Sequence, residues 1–205
     1  MSKALRTTPV IAALAAVAAV LAACGTAGPP HVTYVLGTPA PASASVEPLA
    51  GRPLVEVRPV RVPDYLDMTD ILVRKSTNEM APSPTGRWGE RLSVGVTRAL
   101  TLDLARQLPG FNVAAIEEPE RPARLVLADV ESFEPRADGS VILVARWRVL
   151  DGAGRTTLAG ERVALTEPVA GPGDAAIVAA MTRAVEAFAA RVADGVRGTM
   201  RHDGR

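Results

Sequence analysis

Three extended runs in the second half of the chain constrain its fold more than any other feature. They are "RLVLADVESFE" (124–134), "SVILVARWRVL" (140–150) and "TTLAGERVALT" (156–166), separated by the turn formers "ADGS" and "DGAG". In the middle run, one face carries an apolar residue at every second position: Val141, Leu143, Ala145, Trp147 and Val149. The opposite face ends in Arg146 and Arg148, so we expect it to be partly solvated. The pattern predicts an antiparallel meander.

Two amphipathic helices are predicted on either side of this meander. The first covers roughly residues 89–108 and ends at "LPGF", with an apolar stripe of Leu92, Val96, Ala99, Leu100 and Leu104. The second begins with Asp174 as its N-cap and stops at Gly195. Its stripe consists of Ile177, Met181, Ala184, Val185, Phe188 and Val192.

Shorter segments complete the predicted order of elements. "LVEVRPVRVP" indicates a strand in which Pro59 favours an edge position or a bulge, and 71–74 indicates a second strand. "NEMAPSPTG" is predicted to be a loop, and "FNVAAI" a strand. We therefore predict an α/β protein of the α+β type, with a mostly antiparallel mixed sheet and two amphipathic helices packed on one of its faces.

The first 23 residues have the layout of a secretory signal peptide. Lys3 and Arg6 precede an uncharged apolar run from Val10 to Ala23. Fourteen helical residues would span about 21 Å, less than the roughly 30 Å of a bilayer core, so a permanent span is not expected.

The end of this run resembles the lipobox of bacterial lipoproteins: Leu21, Ala22, Ala23 and then Cys24, the chain's single cysteine. The resemblance implies cleavage before Cys24 and acylation of its thiol and amino groups, because several acyl chains are needed for stable anchoring. There are two alternatives. One is an ordinary signal peptide in which the cysteine is incidental. The other is a reactive thiol, against which stands the lack of a nearby cation in the sequence to lower the pKa of Cys24. Gly25 stands where Asp signals inner-membrane retention in many lipoproteins. We therefore expect an anchor on the periplasmic face of the outer membrane.

The predicted domain organisation follows from these segments. Residues 1–23 form the signal peptide, and residues 24–53 form a lipidated flexible tether with a short strand near 31–36. Residues 54–197 form a single folded domain, and residues 198–205 a frayed tail. Removing residues 1–23 deletes two of the 23 basic residues and none of the 22 acidic ones, so the mature net charge is −1.

The sequence offers little for catalysis, metals or nucleic acid. The two histidines, His31 and His202, lie in the tether and the tail, where no scaffold would orient them. The adjacent carboxylates Glu117 and Glu118 lie in a Pro-rich loop, and Asp64, Asp67 and Asp70 lack the further ligands of a calcium loop. Balanced charge and an aromatic content of 3% disfavour nucleic-acid binding. We expect no enzyme activity, cofactor or metal.

Several stretches of the mature chain resemble, in order, the auxiliary lipoprotein family of ABC-type lipid transporters (the PqiC/YmbA type). They are "YVL", "VRVPDYLDMTDILVR", "RWGERLSVGVTRALTLDLARQLPGFNV" and "LVLADVESFEPRADGSVILVARWRVLD". Two departures from the family pattern are Met68, where Arg is common, and Arg91, where Pro often opens the helix.

The resemblance implies a non-enzymatic role beside an ABC ATPase, a permease and an MCE-domain protein that forms a conduit for lipid or organic solvent. The lipoprotein would dock to that conduit and stabilise it. A homo-oligomer that matches an oligomeric partner is a further hypothesis. For partner contacts we single out a set of five residues: Tyr65, Leu66, Asp67, Arg74 and Trp88. The alternative is that Tyr65 and Trp88 pack against each other or against the core. The main alternative function is an independent lipid carrier with an apolar pocket between helix stripe and sheet.

Overall fold

A computed structural model describes residues 31–39, 50–115 and 119–203. Within these ranges the chain forms eight strands and two helices. In chain order they are β1 (Val32–Tyr34), β2 (Leu54–Val57), β3 (Asp70–Arg74), β4 (Met80–Trp88), α1 (Leu92–Gln107), β5 (Asn112–Ala114), β6 (Arg124–Pro135), β7 (Ser140–Asp151), β8 (Thr157–Pro168) and α2 (Asp174–Asp203). All of them lie in one compact unit, Val32–Arg205.

The predicted meander forms most of a five-stranded sheet with the order β5-β2-β6-β7-β8. Strands β6, β7 and β8 pair antiparallel, as the alternating runs predict, while β2 pairs parallel with both β5 and β6. Gly139 adopts a φ of 80° in the first hairpin, a conformation that suits glycine. Strand β2 is interior rather than at an edge, and it ends at Val57, before Pro59, so the proline removes no hydrogen bond from the ladder.

A second, three-stranded sheet with the order β1-β4-β3 corrects the prediction of a loop at "NEMAPSPTG". Residues 80–86 of that stretch lie in β4, which pairs parallel with β1 and antiparallel with β3. Most of β4 is exposed or half-buried and it contains two prolines, so it has no apolar alternation by which a strand could be recognised. The short strand near 31–36 is confirmed as β1. Because Leu36 just beyond it is buried, this part of the predicted tether belongs to the folded unit.

Helix α1 begins and ends close to the predicted positions, and its apolar stripe is buried. Its N-cap residue, Arg91, has no capping hydrogen bond from its own side chain. Instead, the Asp67 carboxylate accepts the backbone N–H of Ser93 at 2.9 Å. Burial opposes ionisation of Asp67, but the Ser93 bonds and the charge of Arg91 outweigh it and lower its pKa. A residue distant in sequence therefore caps this helix.

Helix α2 is longer than predicted, because it continues through Gly195 to Asp203. A Cβ atom at position 195 would lie 2.3 Å from the Trp147 ring, so this glycine provides space for the indole and does not end the helix. The predicted frayed tail is therefore helical as far as Asp203. The helix also starts one position earlier than predicted, since Gly173 O accepts the Ile177 N–H and Asp174 is the first helical residue rather than the N-cap.

One continuous core joins the helices to the large sheet. The alternating face of β7 is buried, with none of its five apolar residues more than 4% exposed. Helix α2 packs on β6, β7 and β8, and α1 packs against α2 and the short strand β5. The α+β class is confirmed, with two sheets in place of the single sheet expected.

Candidate docking surface

The side of β6, β7 and β8 opposite to the helices carries paired charges. We call this the outer face and define it by Asp129, Glu131 and Glu134 of β6, Arg146 and Arg148 of β7, and Arg162 of β8. These residues occupy this side because the alternate residues of each strand fill the core, and a bulge between Val130 and Ser132 shifts the alternation of β6 so that Asp129 and Glu134 face the same way. The sheet register places Asp129 opposite Arg146, which is in turn opposite Arg162.

Two carboxylates on the outer face are each shared by two arginines. Glu131 accepts hydrogen bonds from Arg162 at 2.7 to 3.1 Å and lies 3.4 Å from Arg146. Asp129 forms an ion pair with Arg61, and its other oxygen lies 3.9 Å from Arg148. The hydrogen bonds from Arg162 lower the pKa of Glu131, so this carboxylate stays ionised.

At one end of the outer face, a buried carboxylate joins two of the five predicted contact residues. Glu134 is 1% exposed and accepts a hydrogen bond from the Tyr65 hydroxyl at 2.5 Å and one from Arg74 Nη2 at 2.6 Å. The Arg74 bonds lower the pKa of Glu134 even though burial opposes this shift. Burial and the neighbouring carboxylate raise the pKa of Tyr65. The cluster is therefore an ionised pair with a neutral phenol bound to it.

An open cavity of about 660 Å³ lies over this cluster. Its lining includes Tyr65, Arg74, Glu131, Glu134 and Arg136, together with the turn at 75–77 and the hairpin at 137–138. No histidine or cysteine is among the described residues that line it. The arrangement offers an exposed aromatic ring beside fixed charges, which suits recognition of a partner.

The five predicted contact residues divide into two groups. Tyr65 is 42% exposed, and Arg74 lines the cavity beside it. Leu66 and Trp88 are core residues, with 3% and 6% of their surface exposed. For Trp88 the structure therefore supports packing in the core rather than contact with a partner. Asp67 caps α1. Sequence reasoning missed Glu134, whose partners are 60 and 69 residues earlier in the chain.

A second cavity bears on the lipid-carrier alternative. It is an apolar groove of about 440 Å³ along α1, and its lining includes Val60, Val94, Thr97, Leu102 and Ala115. The carrier hypothesis expects a pocket between the buried helix stripe and the sheet. This groove lies instead on a side of α1 where Val94 is 46% exposed, and no residue of the stripe lines it.

Some predictions fall on residues outside those that the structure describes. These are the signal peptide, the lipobox with Cys24, most of the tether, and the carboxylates Glu117 and Glu118. Over the described ranges, neither helix is long and apolar enough to cross a membrane. In the same ranges, no group of three or more His, Cys, Asp or Glu side chains could hold a metal ion.

Comparison with known families identifies the class of protein. Residues 34–193, which include strands β2 to β8, helix α1 and helix α2 as far as Ala193, match the model of the family described as ABC-type transport auxiliary lipoprotein component. The chain belongs to this family. The resemblance noted in the sequence is thereby confirmed, and the family is a transport family rather than an enzyme family.

Individual relatives of this auxiliary lipoprotein agree with the assignment. Intermembrane transport lipoprotein PqiC of Escherichia coli (strain K12) is 32% identical over 98 residues, covering 47% of this chain and 51% of PqiC. PqiC of Shigella flexneri matches to the same extent. The chain spans about half the length of these curated relatives.

Two crystal structures share the fold of this auxiliary lipoprotein. Protein XCC0632 from Xanthomonas campestris superposes with a TM-score of 0.63 at 18% identity, covering 84% of this chain and 99% of that one. An uncharacterized protein superposes with a TM-score of 0.68 at 22% identity, covering 82% and 99%. At this level of identity the likeness concerns the fold alone.

Proposed function

We propose that this chain is a periplasmic lipoprotein subunit, anchored to the outer membrane, of an ABC/MCE-type transport system for lipid or organic solvent. It acts by docking to an MCE-domain conduit and stabilising it, without catalysis. The observation that carries the proposal is the family match over residues 34–193. The name of the PqiC relatives, intermembrane transport lipoprotein, supports it.

Anchoring in this proposal depends on Cys24 and the preceding Leu21, Ala22 and Ala23. Acyl chains on Cys24 would hold the domain within a thin layer at the membrane, raising its effective concentration for a partner in that layer. Gly25 supports the outer membrane as the destination. The residues between Cys24 and β1 would let the domain stand off from the bilayer.

Docking in this proposal uses the cavity beside Tyr65. This side chain combines 42% exposure with a hydroxyl fixed by Glu134, so its ring is held in place before a partner arrives. Ordering a side chain in advance lowers the entropy cost of association. Tyrosine and arginine are also the residue types most often found at binding hot spots.

The experiment that tests the docking role is a pull-down of the MCE-domain protein by full-length lipidated protein. Tyr65→Ala is expected to weaken binding about 30-fold and so to lower the amount of recovered partner, because a hot-spot side chain contributes about 2 kcal/mol. Leu158→Ala is the matched control, since Leu158 is 40% exposed on β8 and does not line the cavity. Equal losses of recovered partner for the two variants would contradict the proposal. For Tyr65→Ala, a melting temperature lowered in proportion to the loss of recovered partner would contradict it as well.

An independent lipid carrier is a second candidate, favoured only by the apolar groove along α1. Phospholipid that co-purifies with the protein and is lost in Val94→Asp would support a carrier. Val94 is 46% exposed in the groove, so the substitution adds charge there without disturbing the core. Unchanged lipid content in Val94→Asp would exclude this groove as the site.

A further inference from the structure

Two arginines on the outer face are held less firmly than their neighbours. Arg162 donates three hydrogen bonds to Glu131, and Arg61 donates one to Asp129. Arg146 donates a single long hydrogen bond to Glu131 at 3.4 Å, Arg148 lies 3.9 Å from Asp129, and their side chains are 58% and 41% exposed. Since a guanidinium has five N–H donors, most of the hydrogen-bonding capacity of these two side chains is available to a partner.

The spacing of the two arginines is set by their strand. They occupy alternate positions of β7, so their Cα atoms are about 6.6–6.8 Å apart and both side chains project from the outer face. An extended segment carries its own alternate side chains at the same interval. Carboxylates at positions i and i+2 of such a segment would each meet one guanidinium, in the geometry that suits charge-assisted pairing.

The distribution of charge favours a protein segment over a membrane. Asp129 and Glu131 lie among the arginines and are themselves 27% and 36% exposed on their side chains. An anionic bilayer presents one sign of charge over its whole area and would meet these carboxylates as well as the arginines. A polypeptide can place carboxylates opposite the arginines and neutral side chains opposite Asp129 and Glu131.

From this arrangement we propose that the outer face of β7 is the docking site for an extended acidic segment of a protein partner, whose alternate carboxylates pair with Arg146 and Arg148. This inference rests on the proposed docking function and adds the chemistry of the segment recognised. Tyr65 at the end of the same face would supply the apolar part of the contact.

The test uses full-length lipidated protein in a non-ionic detergent and labelled synthetic peptides, with binding followed by fluorescence anisotropy at low ionic strength. One peptide alternates Glu and Thr; a second repeats Glu-Glu-Thr-Thr, with the same length and charge but no carboxylates at i and i+2. The alternating peptide is expected to bind more tightly, and its affinity to fall as salt is added. Equal affinity for the two peptides would overturn the proposed register.

Variants distinguish specific binding at the outer face from a general attraction between opposite charges. Arg146→Gln combined with Arg148→Gln is expected to weaken binding of the alternating peptide about tenfold. The matched control removes the same charge from exposed residues of α2, by Arg191→Gln with Arg201→Gln, and is expected to leave affinity nearly unchanged. Glu131→Gln is expected to strengthen binding, because it removes the carboxylate that competes for Arg146. Equal losses in the two double variants would overturn the proposal.

The membrane alternative has its own outcome. If neither peptide binds, and hydrogen exchange on β7 slows in nanodiscs containing phosphatidylglycerol but not in phosphatidylcholine discs, the face binds lipid and the proposal is wrong. If both peptides fail while Tyr65→Ala still lowers recovery of the MCE-domain protein, the docking function stands and only the acidic segment is refuted.

Discussion

Replacing Gly195 by alanine should destabilise the protein, although alanine is the better helix former. In an unobstructed helix interior, this change stabilises by about 1 kcal/mol. At position 195, however, the new Cβ would lie 2.3 and 2.5 Å from two carbons of the Trp147 ring, well inside contact distance. Trp147 is 4% exposed on the central strand of the meander, so its ring has little room to move.

The expected change in the free energy of unfolding is the difference between the gain in helix propensity and the cost of the contact with Trp147. Overpacking of a filled core costs about 1–3 kcal/mol, and contacts this short favour the upper end of that range. Subtracting the helix-forming gain leaves a net loss of about 2 kcal/mol in the free energy of unfolding. For a domain of this size, the loss corresponds to a fall of about 4–8 °C in melting temperature.

Gly198 provides the matched control in the same helix. A Cβ at this position meets nothing within 4 Å, so Gly198→Ala is expected to stabilise by about 0.5–1 kcal/mol. Thermal and urea denaturation of full-length protein would measure both changes. Stabilisation by Gly195→Ala would refute the account of the Trp147 contact. No effect of Gly198→Ala would refute the extension of α2, because alanine gains nothing in a frayed tail.

A double-mutant cycle would assign the cost to the indole ring. In a Trp147→Phe background the ring atoms nearest to position 195 are absent or displaced. Gly195→Ala is then expected to cost less than about 0.5 kcal/mol or to stabilise. An unchanged penalty would show that the loss has another origin.

Three further predictions concern single side chains. Glu134→Gln is expected to lower the free energy of unfolding by about 2 kcal/mol at pH 7, because it breaks the buried ion pair with Arg74. Since the folded-state pKa of Glu134 is lowered, the stability that this carboxylate contributes is present above its unfolded pKa of 4.5 and is lost as pH falls. The urea midpoint of the variant should therefore decline less on acidification than that of the wild type. Asp103 is expected to show the opposite pH dependence. Burial raises its pKa from 3.8 to about 6, so the wild type should lose stability as pH rises between these two values. Asp103→Asn should therefore be more stable than the wild type by about 1–2 kcal/mol at pH 7.5. An unchanged pH profile in either variant would contradict the assigned shift. Cys24→Ser should abolish incorporation of labelled palmitate, and retained label would place the acyl chains elsewhere.

The meander and the helix stripes could be predicted because their signals are local. In β7 alternation sorts each residue to the core or the outer face, and the buried stripe of α1 follows the helical period. These patterns need no knowledge of what lies across the core.

The elements predicted wrongly depend on distant partners. Gly195 looks like a helix stop until Trp147, from another element, is seen to fill the space beside it. Strand β4 is held by backbone pairing to β1 and β3, and its mostly exposed side chains leave no periodic signal. Contacts with distant parts of the chain, packing for Gly195 and strand pairing for β4, determined the two outcomes.

The candidate site was predictable only in part, for the same reason. Tyr65 and Arg74 were singled out from the sequence, but the residue that joins them, Glu134, faces outward only because a bulge between Val130 and Ser132 shifts the alternation of β6. Its importance arises from its burial and its bonds to Tyr65 and Arg74, which lie far away in sequence. Asp67, singled out as a partner contact, caps α1 in the structure, a role that the sequence did not indicate.

The most direct test of the docking account is site-specific photo-crosslinking in cells, using full-length lipidated protein with a photoreactive phenylalanine analogue in place of Tyr65. The account predicts a crosslink between position 65 and the MCE-domain protein, and none from the exposed position Arg191 on α2. A crosslink to that protein from position 191 but not from position 65 would contradict the account.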